Sequence, residues 1–212
     1  MNILAIGAHF DDLELACGGT IARFTSNEHT VNAILTSRSD YTDAYGNVLR
    51  TELQAKSEGV TGLKTLGVDK IVCLNYPTKE VVFCKQLIES LNRYFDLWKP
   101  DIILAPSQNE SHQDHYNTSK AVMSAGRYQK TIWTYETLYP SKTSNTTFRP
   151  TLYIDITDYL QLKLDSLKAH TSQFSKYEHW TDLVTSLARV RGIENQCKYA
   201  EAYDIIRMEG KI

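Results

Sequence analysis

The chain opens on an apolar run that ends in charge. Asn2 to Gly7 is almost continuously apolar, the pattern of a short strand buried on both faces. The run gives way to His9, Asp11, Asp12 and Glu14, after which Ile21, Ala22 and Phe24 read as a helix packing back on the strand. The alternation then repeats. Thr30–Thr36 predicts a second strand, Ser37–Val48 a polar loop, and Arg50–Leu66 a helix that tolerates Gly59 and Gly62 and is closed by Gly67. Lys70–Leu74 predicts a third strand. Within Val81–Leu97 and just beyond it, Leu87, Ile88, Leu91, Tyr94, Phe95 and Trp98 form a helix-period stripe, and Pro100 stops it.

Asp101–Ala105 predicts a fourth strand, with the polar loop Pro106–Asp114 leaving its tip. A helix to Arg127, a strand at Thr131–Tyr135 and a surface loop at Ser141–Arg149 follow. The remainder reads as a short strand at Leu152–Ile156, helices at Asp158–Lys168 and Thr181–Val190, and a last strand at Ala202–Arg207. This order predicts a Rossmann-like, doubly wound α/β fold: a mainly parallel sheet with helices on both faces. No repeat or linker divides the chain, so residues 1–212 are expected to form a single domain.

Composition narrows the classes of function. The net charge of -2 gives no general attraction to nucleic acid or an anionic membrane, and neither is expected as a partner. Met1 leads straight into the first strand, and no apolar run is long enough to span a bilayer. Cys17, Cys73, Cys84 and Cys197 form no CxxC pair and read as small core residues in a reducing compartment. The expected location is therefore cytoplasmic; the sequence leaves homo-oligomerisation open.

The charged cluster at the first strand tip has no structural need behind it. A single Asp there is accounted for by helix capping. However, the loop after the fourth strand carries a second excess, Glu110-Ser111-His112-Gln113-Asp114-His115. If the second and third strands lie on one side of the first and the fourth on the other, both tips flank the switch-point crevice. His9, Asp12 and His115 then come within reach of one divalent ion, with two imidazoles, one carboxylate and open positions for water. That set suits Zn²⁺, and the same set also serves Fe²⁺.

These residues also carry a resemblance. AHFDDLEL (residues 8–15) resembles the AHPDDxE motif of the LmbE-like, or PIG-L, family of zinc-dependent N-acetylglucosaminyl deacetylases, and SHQDH (111–115) resembles its HxDH motif. Leu66-Gly67-Val68, Tyr153-Ile154-Asp155-Ile156, Lys163, Ser172-Gln173 and Tyr199-Ala200-Glu201 follow in that family's order. The resemblance implies a hydrolase that deacetylates a small amino-sugar substrate or conjugate. An amidase on a non-sugar N-acyl compound, or a metal-holding binding module without turnover, are the competing readings.

By the same resemblance His9, Asp12 and His115 are the metal ligands. Asp11 is the general base towards the attacking water. His112 stabilises the oxyanion or protonates the leaving amine, and Asp114 orients it. Arg50 is expected at the start of the second helix in contact with substrate, with Lys56 competing for that role. Phe10 stands where the family has Pro, which predicts a loop held by other means and an aromatic ring available to the pocket. Glu110 stands where many relatives have Asp. Tyr41, Tyr45 and Tyr76 are candidate sugar-stacking rings from their loop positions, and His170 and His179 read as structural.

Overall fold

The protein is described by a computed structural model covering residues 1–137, 148–174 and 179–210. Apart from its last two residues, the loop expected at Ser141–Arg149 lies outside the described residues. In chain order the elements are β1 (Asn2–Gly7), α1 (Asp12–Ser26), β2 (Thr30–Ser37), β3 (Tyr41–Thr42), β4 (Val48–Arg50), α2 (Glu52–Thr65), β5 (Ile71–Tyr76) and α3 (Lys85–Trp98). They continue with β6 (Ile102–Pro106), α4 (Gln113–Ala125), β7 (Ile132–Tyr135), β8 (Leu152–Asp155), α5 (Leu160–Leu167), α6 (Thr171–Phe174), α7 (Trp180–Glu194) and β9 (Ala200–Arg207).

Seven strands form one sheet in the order β5-β2-β1-β6-β7-β9-β8. The first five run parallel, and β9 lies antiparallel between β7 and β8. The chain leaves β1 towards β2 and β5, then returns to place β6 on the other side. The expected reversal is therefore present, and the switch point falls between β1 and β6. Alternation along β1 divides the core. Ile3 and Ala5 join Leu13, Ile21, Leu63 and Leu104 on one face, whereas Leu4 and Ile6 join Leu87, Leu91, Ile103 and Val122 on the other.

Two local features differ from the expected pattern. Within the predicted polar loop, β3 and β4 pair as a small antiparallel hairpin. Arg50 ends that hairpin instead of starting a helix, because Thr51 caps α2: its side chain and that of Gln54 exchange hydrogen bonds with each other's backbone N–H. The second feature is in α1, which kinks at Cys17 (φ -132°, ψ 18°). The freed N–H groups of Gly19 and Thr20 donate to the Glu201 carboxylate at 2.9 and 2.7 Å, and Lys163 Nζ lies 2.5 Å from the same carboxylate. A side chain at Gly19 would collide with Ile156, so close packing is the reason for glycine there. Among the described residues no helix is long and apolar enough to cross a membrane, and the four cysteines are free thiols.

Candidate active site

The loop from β1 into α1 and the loop from β6 into α4 meet at the switch point and deliver two matched groups of side chains. Asp12 is buried in the first turn of α1. Its Oδ2 accepts from the backbone N–H of Ala8 (2.7 Å) and His9 (2.9 Å), which fixes the carboxylate and leaves Oδ1 facing the imidazoles. His9 Nε2 donates to Asp114 Oδ2 at 3.0 Å, so its Nδ1 carries the lone pair. His115 Nδ1 makes an ion-pair contact with Glu110 Oε2 at 3.4 Å and no hydrogen bond, and the nearby carboxylate favours a proton on Nδ1 with the lone pair on Nε2.

Three free donor atoms consequently converge. His9 Nδ1 and His115 Nε2 are 3.0 Å apart, His115 Nε2 and Asp12 Oδ1 3.2 Å, and His9 Nδ1 and Asp12 Oδ1 3.7 Å. Tetrahedral ligands at about 2.0–2.1 Å from a zinc ion stand about 3.3 Å from one another, so the set fits such an ion. Two imidazole lone pairs facing at this distance also require a positive charge between them. The local field favours one: burial opposes charging of either ring, yet Asp114 and Asp12 raise His9 to about 9, and Asp12 and Glu110 raise His115 to about 10.

His9, His112 and His115 form an alternative convergent set, with donors within 4.8 Å of one another. His112, however, has a different environment. It caps α4, its Nδ1 accepting from the Asp114 N–H at 3.2 Å. Burial, reinforced by His9 and His115, lowers it to about 4. It is thus a neutral imidazole with its proton on Nε2, suited to donating a hydrogen bond to a developing oxyanion. The Asp12-containing set accounts for more of the geometry, because all three of its donor atoms are oriented by partners behind them.

Asp114 corrects the expectation from the sequence. Instead of orienting His112 through its side chain, its carboxylate serves His9, and it also accepts from the N–H groups of Lys79 (2.7 Å) and Val81 (3.1 Å). Glu110 stands behind His115 as an ion-pair partner. The glutamate carboxylate is itself held by Thr137 Oγ1 and by the Ser111 N–H at 2.8 Å, and its pKa falls to about 2 as His115, Thr137 and the His112 N–H outweigh burial. A carboxylate behind each imidazole is the arrangement that fixes the tautomer of a metal-ligating histidine.

Asp11 ends the β1–α1 loop on strained backbone. Its φ of 145° is in a region that residues other than glycine rarely adopt, and its side chain makes no cap bond to α1. Burial raises its pKa to about 6 against the opposing pull of Arg50.

Arg50 is 2% exposed, and both of its terminal nitrogens are engaged. Nη1 reaches Phe10 O (3.0 Å) and Asp11 Oδ2 (3.4 Å); Nη2 reaches Glu58 Oε2 (3.1 Å) and His170 Nδ1 (3.0 Å). Arg50 thus braces the Asp11 loop, and it is also among the residues lining the cavity. Exposed Lys56 is not among the residues lining the cavity. Phe10 turns away from the cavity and packs on Gly59 of α2, and the loop is held by Phe10 N–H on Ser39 Oγ (2.8 Å).

These groups form the floor of a cavity of ≈ 560 Å³. Leu15, Trp180, Tyr41 and Leu49 give it an apolar wall, and the Tyr41 hydroxyl donates to Gln173 Oε1 at 3.0 Å. Tyr41 is thus the expected ring that reaches the cavity; Tyr45 points to solvent and Tyr76 packs in the core. Glu58, Ser39 and Gln173 were not singled out for the site from their residue types, although Ser172-Gln173 carried a signal in its position.

The chain is similar to known proteins along most of its length. Residues 4–126 match the family described as PIG-L, GlcNAc-PI de-N-acetylase. A diacetylchitobiose deacetylase of Thermococcus kodakarensis is 25% identical over 94% of this chain and 81% of its own length. The uncharacterized deacetylase YaiS of Escherichia coli is 32% identical over 81% of this chain and 91% of its own. The N,N'-diacetylchitobiose deacetylase of Pyrococcus horikoshii, solved with an inhibitor, superposes with a TM-score of 0.84 at 24% identity, covering 97% of this chain and 83% of its own.

Proposed function

Because the chain belongs to the PIG-L family of GlcNAc-PI de-N-acetylases, we propose that it is a metal-dependent hydrolase removing the acetyl group from the nitrogen of a small N-acetylglucosamine-type sugar or conjugate. The observation that carries this reading is the convergence of His9 Nδ1, Asp12 Oδ1 and His115 Nε2, each oriented from behind and all facing one point. These three residues would hold a divalent cation, Zn²⁺ or Fe²⁺ by donor type. When bound, the ion supplies Lewis acidity, polarising the amide carbonyl and bringing the pKa of a water towards about 7.

The remaining steps belong to side chains. Asp11 accepts a proton from the attacking water as oxygen adds to the amide carbon, and its raised pKa lets it return that proton to the departing nitrogen. His112 Nε2–H donates to the oxyanion while staying neutral. When the C–N bond breaks, the products are acetate and the free amine. The wall formed by Leu15, Tyr41, Leu49 and Trp180 has the area to cover an aglycone or a second sugar ring.

The test is acetate release from a panel of N-acetylglucosamine conjugates, diacetylchitobiose among them, before chelation, after chelation, and with Zn²⁺ or Fe²⁺ restored. Turnover that vanishes on chelation and returns with one metal supports the reading. Turnover indifferent to chelation removes the metal from it, and no acetate from any member of the panel removes the reaction.

A further inference from the structure

Behind Asp11 lies a buried group of charged side chains that the reaction above leaves without a role. Glu14 and His170 are both fully buried, and neither is among the residues lining the cavity. Glu14 Oε1 is 2.9 Å from His170 Nε2, and His170 Nδ1 is 3.0 Å from Arg50 Nη2. A guanidinium can only donate, so Nδ1 of His170 must carry a lone pair and the imidazole proton must sit on Nε2, where Glu14 accepts it. The hydrogen bonds therefore have one possible direction. Arg50 donates outward to Asp11 and inward to His170, and His170 donates to Glu14.

We propose that Glu14 and His170 are positioning residues for Asp11, acting through Arg50 in the amide hydrolysis inferred above, on which this assignment rests. Asp11 cannot hold its own geometry: its backbone is at φ 145° and its side chain makes no cap bond. Among the described residues, Arg50 is the hydrogen-bond partner of its carboxylate. Arg50 in turn bridges Phe10 O and Asp11 Oδ2 with one nitrogen while Glu58 and His170 anchor the other. Glu14 completes the set by fixing the orientation and tautomer of His170, without which Nδ1 would not face the guanidinium.

Packing around this group is arranged to admit it. At Gly62 of α2 an added Cβ would lie 2.6 Å from Glu14 Oε1 and 3.2 Å from His170 Nε2, so the helix has no side chain where the carboxylate and the ring approach. Stability alone gives little reason for such a group, since exchanging buried charges for apolar residues of similar volume is often neutral or stabilising. A strained carboxylate that must be held to a fraction of an ångström is a better reason.

The experiment compares Glu14→Leu and Glu14→Gln in the full-length, metal-loaded protein by acetate release. Glu14→Leu is expected to lower kcat about 10- to 100-fold with KM and metal content unchanged, the scale of a misplaced reacting group. Glu14→Gln keeps an oxygen for His170 and is expected to recover most of that loss. In an Asp11→Asn background, measured by single turnover, Glu14→Leu should cost nothing further, because residues acting through one group are not additive. A folded, metal-loaded Glu14→Leu with wild-type kcat overturns the proposal, as does a loss that persists undiminished in the Asp11→Asn background.

If Glu14→Leu does not fold, His170→Asn and His170→Leu carry the same comparison. Asn offers Arg50 an oxygen near the place of Nδ1 and should retain more kcat than Leu; equal kcat in the two refutes the chain. A wild-type protein that releases no acetate defeats the deacetylase reading instead, so the two failures are distinct.

Discussion

Asp11 and Asp12 are neighbours with opposite surroundings, and their variants should diverge accordingly. Asp12 has one oxygen bound to backbone and the other among the imidazoles, which hold it well below the usual carboxylate range despite burial. Asp12→Asn is expected to lose metal, whereas Asp11→Asn should keep it and lose about 100- to 10,000-fold in kcat. Metal analysis beside single-substrate kinetics checks both, and the reversed pattern exchanges their roles. His115→Ala should likewise bind less than stoichiometric metal. The raised pKa values of His9 and His115 have a sign that can be measured. The metal-free rings hold extra proton charge at neutral pH, so metal must displace protons and its affinity should rise with pH through the neutral range. Calorimetry in buffers of different ionisation enthalpy reports that release; none would mean that the pair is already unprotonated. At this scale the donor set was legible in the two motifs because their residue types are dense and otherwise unexplained. The braces of Arg50 were not, since His170 reaches it from 120 residues away and Glu58, eight residues on, looks like an ordinary charge on a helix surface.

The elements most easily read were those whose pattern is continuous. The buried strands and the apolar stripe of α3 fell close to their expected spans, although α3 begins at Lys85 after an extended approach. The hairpin was missed because β3 and β4 are only two and three residues long. Helix α6 was missed because four residues carry no periodicity. Gly59 and Gly62 weaken a helix by propensity, and their reason became visible only in three dimensions: α2 passes Phe10 at one and Glu14 at the other. A Cβ at Gly59 would overlap the Phe10 ring, so Gly59→Ala should cost about 1–3 kcal/mol through overpacking. It should also reduce kcat, because Phe10 adjoins Asp11. Thermal unfolding together with kinetics checks this, and a variant of unchanged Tm and rate would show that the ring is free to move aside.

Across the molecule, the sheet order brings together donors from β1–α1 and β6–α4 that are far apart along the chain, so the unfolded chain holds no preformed site. A cation that binds the folded form alone stabilises it by about 2.7 kcal/mol at one hundred times its Kd. The Tm should accordingly rise with metal concentration and fall on chelation, and His115→Ala should flatten that dependence. The hairpin has a further consequence. It supplies Tyr41, Thr42, Asp43, Ala44 and Leu49 to the cavity, while the convergent donors come from elsewhere. On the proposed function, the hairpin is expected to bias substrate choice without supplying a metal ligand. Residues 41–49 form an exchangeable cassette: grafting the corresponding segment of a relative, with Arg50 kept in place, should transplant its preference among sugars while the catalytic apparatus beneath is inherited intact.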